Sequence, residues 1–404
     1  MKSILFFFIL CGFLLQAQSQ INEDSGLFKQ IDSLNKTAAS FEKDKKLGML
    51  YYKTGHYNKA LFHLQKARAK KDDIKLNKSL AKVWEAKGYP EKAATLWEEI
   101  VKKDTTDLEN QFRLAKIYIR LNRKNEAMQM IKKLEQKDPG NPWYPYQRAK
   151  LTDDSLNKKL DAYLSAYRKD TTWLNTIYPI AQLYNIIKFY DSTRIFIQKG
   201  LKLRPAHSGL LKLKALEEFR QGKNKKALKT LQKMDSMHQK PFFVKKNLGI
   251  GYYKIKDYPK ALEYFDQALA IEPTDPDSYL YKGLIYENQN KTEEAVKMFN
   301  ASIAFKHKKL DTEYYHLGKL AQKKKNYKKA LDYLLKAYKE NPKNTAIFFE
   351  WALLSDRYYK DKKIALKRYE KYLNLKRWKN EENEQFARER IKEIKTRLFM
   401  KEKK

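Results

Sequence analysis

The sequence predicts an all-α chain, a stack of about ten helix pairs, and three regularities carry that prediction. A small residue recurs at Gly48, Ala81, Ala115, Ala149, Ala181, Ala215, Gly249, Gly283, Gly318 and Ala352, at spacings of 33, 34, 34, 32, 34, 34, 34, 35 and 34 residues. A second follows twelve positions later in most units, at Ala60, Ala93, Ala127, Ala227, Ala261, Ala295 and Ala330. Large residues then close the pattern at Leu64, Trp97, Ile131, Ile197, Leu231, Phe265, Phe299 and Leu334. Pro139, Pro205, Pro273 and Pro342 punctuate the period. Two antiparallel helices approach closely only where one presents Gly or Ala, and large apolar residues at i, i+3 and i+4 fill the groove beside the contact. Proline ends the second helix, because it lacks the amide donor and restricts the residue before it. Self-similarity at this period marks a solenoid whose units bury their faces only against their neighbours.

In chain order the first element is a leader. Lys2 precedes the apolar run Ile4 to Leu15, and Gln16-Ala17-Gln18-Ser19 places small residues for cleavage before Gln20. Residues 1–19 are therefore expected to be a secretory signal peptide. As a helix the run spans about 18 Å, short of the ~30 Å hydrocarbon core, which disfavours a permanent anchor. The single cysteine, Cys11, is followed by Gly12-Phe13-Leu14-Leu15 rather than ending the run, which argues against lipidation. A mature chain cut there has no thiol and takes its stability from packing, not disulfides.

Residues 20–40 are expected to form an amino-terminal capping helix with Leu27, Ile31 and Leu34 on one face. The array is assigned to residues 41–378, with units starting near Phe41, Ile74, Leu108, Pro142, Leu174, Ser208, Phe242, Pro276, Asp311 and Thr345. It is irregular near 142–207. In the fourth unit Thr152 takes a usual aromatic position and the second helix, near Leu160 to Tyr167, is expected to be shortened. In the fifth, Pro179 falls within the first helix and Thr193 replaces the second small residue. A hinge and an imperfect repeat both fit these departures. Residues 379–404 are expected to form a charged carboxy-terminal capping helix carrying Phe386, Ile391, Ile394 and Leu398. A basic amphipathic helix on a membrane surface is the alternative.

One unit is nearly complete against a known pattern. Leu248-Gly249, Tyr252, Ala261, Phe265, Ala268 and Pro273 stand at the offsets of the tetratricopeptide consensus. The chain resembles that family over roughly residues 41–378. The resemblance implies a right-handed superhelical solenoid of helix pairs that serves as a scaffold for partner proteins, a function that fold alone does not specify further.

Net charge is +37, from 85 Lys plus Arg against 48 Asp plus Glu. Such an excess fits an anionic partner, and it also fits solvated helix faces. Only 15 of the 85 are Arg, the residue suited to bidentate phosphate recognition. Signals of an enzyme are absent: no Gly-rich phosphate loop, no nucleophile elbow, and six histidines at 56, 63, 207, 238, 307 and 316 without metal-ligand spacing. No catalytic residue, cofactor, metal or small-molecule substrate is expected.

The resemblance places the candidate site on the concave groove, lined by the second, fifth, ninth, twelfth and thirteenth residues of each unit. Here those places supply aromatics at Tyr52, Phe112, Trp143, Tyr146, Tyr178, Phe219, Phe243, Tyr253, Tyr315 and Phe349. Cations interleave at Lys45, Lys53, Lys82, Lys116, Arg120, Lys212, Arg220, Lys246, Lys254, Lys319 and Lys323. Aromatics give contact area at low entropic cost and cations steer acidic partners. The same rings also fit a core role between helices. Chaperone-binding members of the family clamp a terminal carboxylate with asparagine at the sixth and ninth places. Asn247 beside Lys246 is the sole echo, so that mode is not expected. The expected function is a non-enzymatic scaffold or adaptor, exported to the periplasm or peripheral to a membrane, that binds envelope proteins through acidic or extended segments. The alternative is a polyanion-binding repeat protein for RNA or an acidic envelope glycan. Export disfavours nucleic acid, and these units lack paired base-reading polar side chains.

Overall fold

The computed structural model describes residues 26–307, 309–375 and 380–402. The expected signal peptide, residues 1–19, lies outside the described residues, as do residues 20–25 of the expected cap. The described residues form helices and turns and no strand. A first helix, α1, covers residues 26–35. Ten pairs follow: α2 (Phe41–Lys53) with α3 (Tyr57–Lys70), α4 (Ile74–Ala86) with α5 (Pro90–Lys103), α6 (Leu108–Arg120) with α7 (Lys124–Lys137), α8 (Trp143–Leu151) with α9 (Leu156–Lys169), and α10 (Leu174–Ile186) with α11 (Tyr190–Leu203). Then come α12 (Ser208–Arg220) with α13 (Asn224–Ser236), α14 (Pro241–Lys254) with α15 (Tyr258–Ile271), α16 (Pro276–Asn288) with α17 (Thr292–Phe305), α18 (Asp311–Lys323) with α19 (Tyr327–Glu340), and α20 (Thr345–Tyr358) with α21 (Lys362–Leu373). The last helix is α22 (Glu381–Glu402).

Local chemistry sets these boundaries. Asp73, Asp107 and Asp275 precede α4, α6 and α16, and each carboxylate accepts an amide hydrogen bond from the residue three positions on. That satisfies one of the amides a helix start leaves without an intrahelical partner. Helices α7, α11, α15 and α19 stop two residues before Pro139, Pro205, Pro273 and Pro342.

The pairs cross at the small residues. Ala81, Ala115, Ala215 and Ala352 are fully buried, and sixteen positions after the recurring small residue sit the equally buried Leu64, Trp97, Ile131, Leu231, Phe265, Phe299 and Leu334. The size of this later residue explains two of the glycines. A methyl group on Gly249 would lie 2.7 Å from the Phe265 ring, and one on Gly283 the same distance from Phe299. The phenyl ring occupies the volume the glycine leaves open.

Most pairs turn through a residue in the left-handed region: Gly55, Gly88, Asn122, Lys188, Gly222, Lys256, Asn290 and Lys325, with φ between 58° and 81°. The next amide reaches back five residues, as from His56 to the Tyr51 carbonyl (2.8 Å) and from Asp257 to Tyr252 (3.0 Å), which closes the helix with two orphan carbonyls satisfied. The fourth unit departs from this scheme and corrects one expectation. Its second helix, α9, has the full 14 residues, and its first helix, α8, is the short one at nine. The Thr152 hydroxyl donates to the Arg148 carbonyl at the end of α8, and Ser155 caps α9 directly before Leu156, one turn ahead of Leu160. Pro179 lies inside α10.

The chain divides into two compact units, Met1–Phe189 and Tyr190–Lys404, so the boundary falls between the two helices of the fifth pair. In the first unit Ile31 of α1 is buried, with Leu27 and Leu34 packed beside it on the core. In the second, Ala387 and Ile394 of α22 are buried against Phe348, Tyr369 and Tyr372.

Candidate functional site

Within each compact unit the projected residues of the first helices divide by what they touch. In the first unit, Lys116 lies 4.8 Å over the Phe112 ring and Lys150 5.7 Å over Tyr146. Trp143, 44% exposed, meets Trp173 at 4.7 Å, and Tyr146 meets Trp173 at 4.6 Å. Tyr52, Tyr146 and Tyr178 are half-buried, and Lys53, Lys116 and Arg120 are exposed. In the second unit, Lys212 lies 4.8 Å from the Phe243 ring and Lys254 5.5 Å from Phe219. Tyr253 and Tyr315 are half-buried, the former 5.2 Å from Tyr281. Burial pushes the Tyr146, Tyr178, Tyr253 and Tyr315 phenols above their ordinary value, which keeps them neutral hydrogen-bonding groups.

Four projected residues have internal duties instead. Phe349 is a core residue, 7% exposed, packed against Tyr372 at 5.3 Å and Phe386 at 5.9 Å. Its place in the tenth unit puts it under the following helix, α22. Lys246 pairs with Asp275 at 2.8 Å and Asp277 at 2.7 Å. Burial opposes its charge, but the two carboxylates outweigh that and hold its ammonium above the ordinary value. Lys45 likewise forms an ion pair with Asp73 at 3.3 Å, and Lys78 one with Asp107 at 2.9 Å. In each case a fifth-place lysine binds the aspartate that caps the next unit's first helix, so these cations join neighbours. Arg220 pairs with the buried Glu217 and lies 3.9 Å over the Tyr190 ring.

Two clefts open on this face at matching repeat positions. In the first unit a cleft of about 450 Å³ is lined by Tyr52, Lys82, Glu85, Ala86, Arg113 and Arg120. In the second, one of about 550 Å³ is lined by Glu287, Lys319, Leu320, Gln322, Lys323, Tyr327 and Arg357. The twelfth place of one repeat, the ninth, twelfth and thirteenth of the next, and the thirteenth of a third supply both: Tyr52 matches Glu287, Lys82 matches Lys319, Glu85 matches Gln322, Ala86 matches Lys323, and Arg120 matches Arg357. Their charges are balanced differently. In the second cleft Glu287 Oε2 lies 2.6 Å from His316 Nδ1, Lys319 pairs with Glu350 at 3.6 Å, and Lys323 donates to Asn290 Oδ1 at 2.7 Å. In the first, Lys82 and Arg120 meet no carboxylate among the described residues, while Arg113 donates twice to Glu109 Oε1 at 3.1 and 3.0 Å. Glu85 accepts from the Trp97 indole at 2.6 Å.

Models of the tetratricopeptide repeat match residues 86–150, 243–275, 264–297 and 314–344. The chain is a tetratricopeptide repeat protein. Over 200 residues, 49% of this chain, it is 25% identical to human aspartyl/asparaginyl beta-hydroxylase, and the match spans 24% of that protein. Over 125 residues, 31% of the chain, it is 27% identical to human protein O-mannosyl-transferase TMTC1, spanning 14% of it. The chain thus spans a quarter or less of the curated relatives it matches. Among solved structures it is similar to yeast Tom70, with 14% identity, 89% of this chain and 96% of that one covered, and a TM-score of 0.43. A tetratricopeptide repeat protein from Parabacteroides merdae gives 16% identity, coverage of 61% and 98%, and a TM-score of 0.47.

Tetratricopeptide repeats are generally non-catalytic and bind protein partners, and the fold of this chain is that of a protein-interaction scaffold. Sequence projection named Tyr52, Lys82 and Arg120 but missed Arg113, Glu85 and Arg357, which line the same clefts. Arg357 stands at a thirteenth place and was open to the same projection. Arg113 stands at a sixth place, outside the projected set.

Proposed function

We propose that this protein is a non-enzymatic scaffold of the cell envelope, exported by residues 1–19, that holds partner proteins by extended acidic segments laid along its first-helix face. One observation carries the reading: on the first helices cations sit over aromatic rings, the exposed Lys116 on Phe112 and Lys254 on Phe219 and the half-buried Lys212 on Phe243. Such a ring and cation together offer an acidic segment apolar contact and charge at one place. Partners are expected to be envelope proteins, with peripheral attachment to a membrane through them.

The test is partner capture by the mature chain from envelope extracts, beside Lys116→Glu with Lys254→Glu and beside Lys297→Glu on the exposed side of α17. Capture should weaken steeply between low and physiological salt, because exposed charges are screened over about 8 to 10 Å. The first-helix reversals should mimic that loss and Lys297→Glu should not. Equal losses from both would make the charge a diffuse property and move the reading to polyanion binding, by an acidic glycan or RNA. Sequencing the amino terminus of the exported protein tests export, with Gln20 the expected first residue.

A further inference from the structure

We propose that the second compact unit binds the surface of an anionic lipid bilayer through one edge, the row of turns that join the two helices of each repeat. The inference goes beyond the scaffold reading and does not rest on it, because it uses these turns and not the first-helix face. From α12 to α21 successive helices pack in chain order through turns of three to five residues, so the turns alternate between two edges. Neighbouring turns on this edge touch: Lys324 pairs with Glu293 at 3.7 Å, and the Tyr327 and Tyr358 rings lie 6.4 Å apart.

Charge separates the two edges. Each turn with the first three helical residues after it, at 221–226, 255–260, 289–294, 324–329 and 359–364, gives thirteen lysines, no arginine and four acids in all. The corresponding stretches of the opposite edge, 204–210, 237–243, 272–278, 306–313 and 341–347, hold five cations and five acids among the described residues. In the first compact unit the equivalent turns at 54–59, 87–92, 121–126 and 152–158 hold six cations and four acids, so the excess belongs to the second unit and not to the repeat. Ten of the thirteen lysines are exposed and meet no carboxylate among the described residues, while Lys260, Lys324 and Lys362 pair with Asp257, Glu293 and Asp356.

These lysines stand where the fold disfavours them. Lys225 and Lys226 open α13, Lys328 and Lys329 open α19, and Lys362 and Lys363 open α21, and none of the three helices has an acid in its first turn. That turn is the positive end of the helix dipole, where acids stabilise and cations do not. A local preference broken at three turns of one edge marks a surface shaped by a partner rather than by the fold. The side chains identify that partner. Lysine is a point charge suited to a diffuse field of headgroups, and arginine, which forks onto single phosphates and base edges, is missing from these turns. Ile255, Tyr327 and Tyr358 are 36%, 38% and 40% exposed among the lysines. Tyrosine, with an apolar body and a polar tip, suits the headgroup level of a bilayer, and an acidic glycan offers no apolar layer to receive such side chains.

The experiment is cosedimentation of the full mature chain with vesicles of phosphatidylglycerol and phosphatidylcholine, beside vesicles of phosphatidylcholine alone. The mixed vesicles should bind the chain and the neutral ones should not. Each lysine held near an anionic surface strengthens binding by about fivefold, so Lys225→Glu with Lys328→Glu and Lys363→Glu should weaken it at least about tenfold. These reversals place acids at helix starts and so spare the fold. Gln at the same three places should lose about half as much on a logarithmic scale, since the charge change is halved. On the opposite edge Arg204→Glu with Lys240→Glu and Lys343→Glu makes the same change in net charge at exposed positions. It should cost no more than about threefold, because those groups lie beyond a screening length of the surface. Ile255→Ala with Tyr327→Ala should weaken binding by about fivefold through lost apolar contact. No binding to the mixed vesicles, equal binding to the neutral ones, equal losses from the two edges, or an unchanged affinity after the Ile255 and Tyr327 replacements each overturns the proposal. Soluble hyaluronate or polyuridylate that binds as tightly and is released by the same reversals makes the partner a polyanion and refutes the bilayer. Capture of partner proteins by the lysine reversals should match the wild type; vesicle binding that fails while capture stands refutes this edge alone and leaves the scaffold reading in place.

Discussion

The clefts of the two compact units are built from the same repeat places yet hold their charges through different neighbours. In the first, Glu109 holds Arg113 and the Trp97 indole holds Glu85; in the second, Glu350 holds Lys319, Asn290 holds Lys323 and His316 meets Glu287. The lesson is that a repeat fixes where side chains stand and leaves their charge state to the residues one repeat away. Lys246 makes the same point. By place it belongs to the groove, but the next unit's Asp275 takes its charge and turns it into a link between repeats. Place within a unit therefore reads the backbone, and only inter-unit pairing tells which cations remain for a partner.

The largest effects are expected where each unit buries an aspartate. In the first, Asp44 meets His63 at 3.1 Å and Lys70 at 3.0 Å; in the second, Asp356 meets Arg390 of α22 at 2.6 Å and Lys362 at 3.3 Å. Burial pushes both carboxyls up, but the facing cations outweigh it and hold both below the ordinary value. A depressed folded value means that the stabilisation is full above the unfolded value and is lost as pH falls through the folded one. Melting temperature should therefore be flat above about pH 5 and fall below about pH 4. Asp356→Ala should cost about 1 to 3 kcal/mol, because Arg390 loses its buried partner and keeps only the exposed Glu393, and Asp44→Ala less, because its lysine partners are more exposed and can rehydrate. Hydrogen exchange locates the damage: Asp356→Ala should deprotect α22 and leave α2 and α3 protected. Uniform deprotection would contradict independent units.

Next in size is the helix crossing. Gly249→Ala sets a methyl 2.7 Å from the Phe265 ring, while Gly318→Ala sets one 3.1 Å from Leu334 Cγ, which can shift. Overpacking a tight contact costs roughly 1 to 3 kcal/mol, so the first should melt clearly lower and the second near the wild type. Equal melting of the two would mean that the ring, too, moves aside freely.

Much of this was legible in the sequence because close crossings demand small residues. The period of Gly48, Ala81 and their successors placed the first helices, down to Trp143 for Pro142 and Pro241 for Phe242. What was not legible depended on contacts between units. Nothing in the sequence near Lys246 marks Asp275 as its partner, and nothing near Phe349 says that α22 will cover it. The length of α9 was legible and was missed: Ser155 is a cap residue and Leu156 stands four before Leu160, but only the stretch from Leu160 to Tyr167 was read as helix. The groove aromatics were found by place alone, and whether each faces solvent or core is decided by the neighbouring repeat.

The smallest effect expected concerns the turn that the two units share. Gly55, Gly88 and Gly222 adopt the left-handed conformation without steric cost, but Lys188, Lys256 and Lys325 adopt it with a Cβ that crowds the backbone. The turn tolerates lysine because two reaching amides fix it, as where Lys256 bonds the Tyr253 carbonyl at 3.0 Å and Asp257 bonds Tyr252 at 3.0 Å. Replacing Lys256 or Lys325 by Gly removes the crowding but loosens the unfolded chain, and the two oppose each other. Relief of left-handed strain is worth about 1 to 2 kcal/mol and the added entropy offsets up to about 1, so a net gain of about 0.5 to 1 kcal/mol is expected. The reverse change, Gly222→Lys, should lose a similar amount. Thermal melting of the three variants checks the sign in both directions, and a loss on Lys256→Gly would show that the lysine side chain contributes more at the turn than its backbone strain costs.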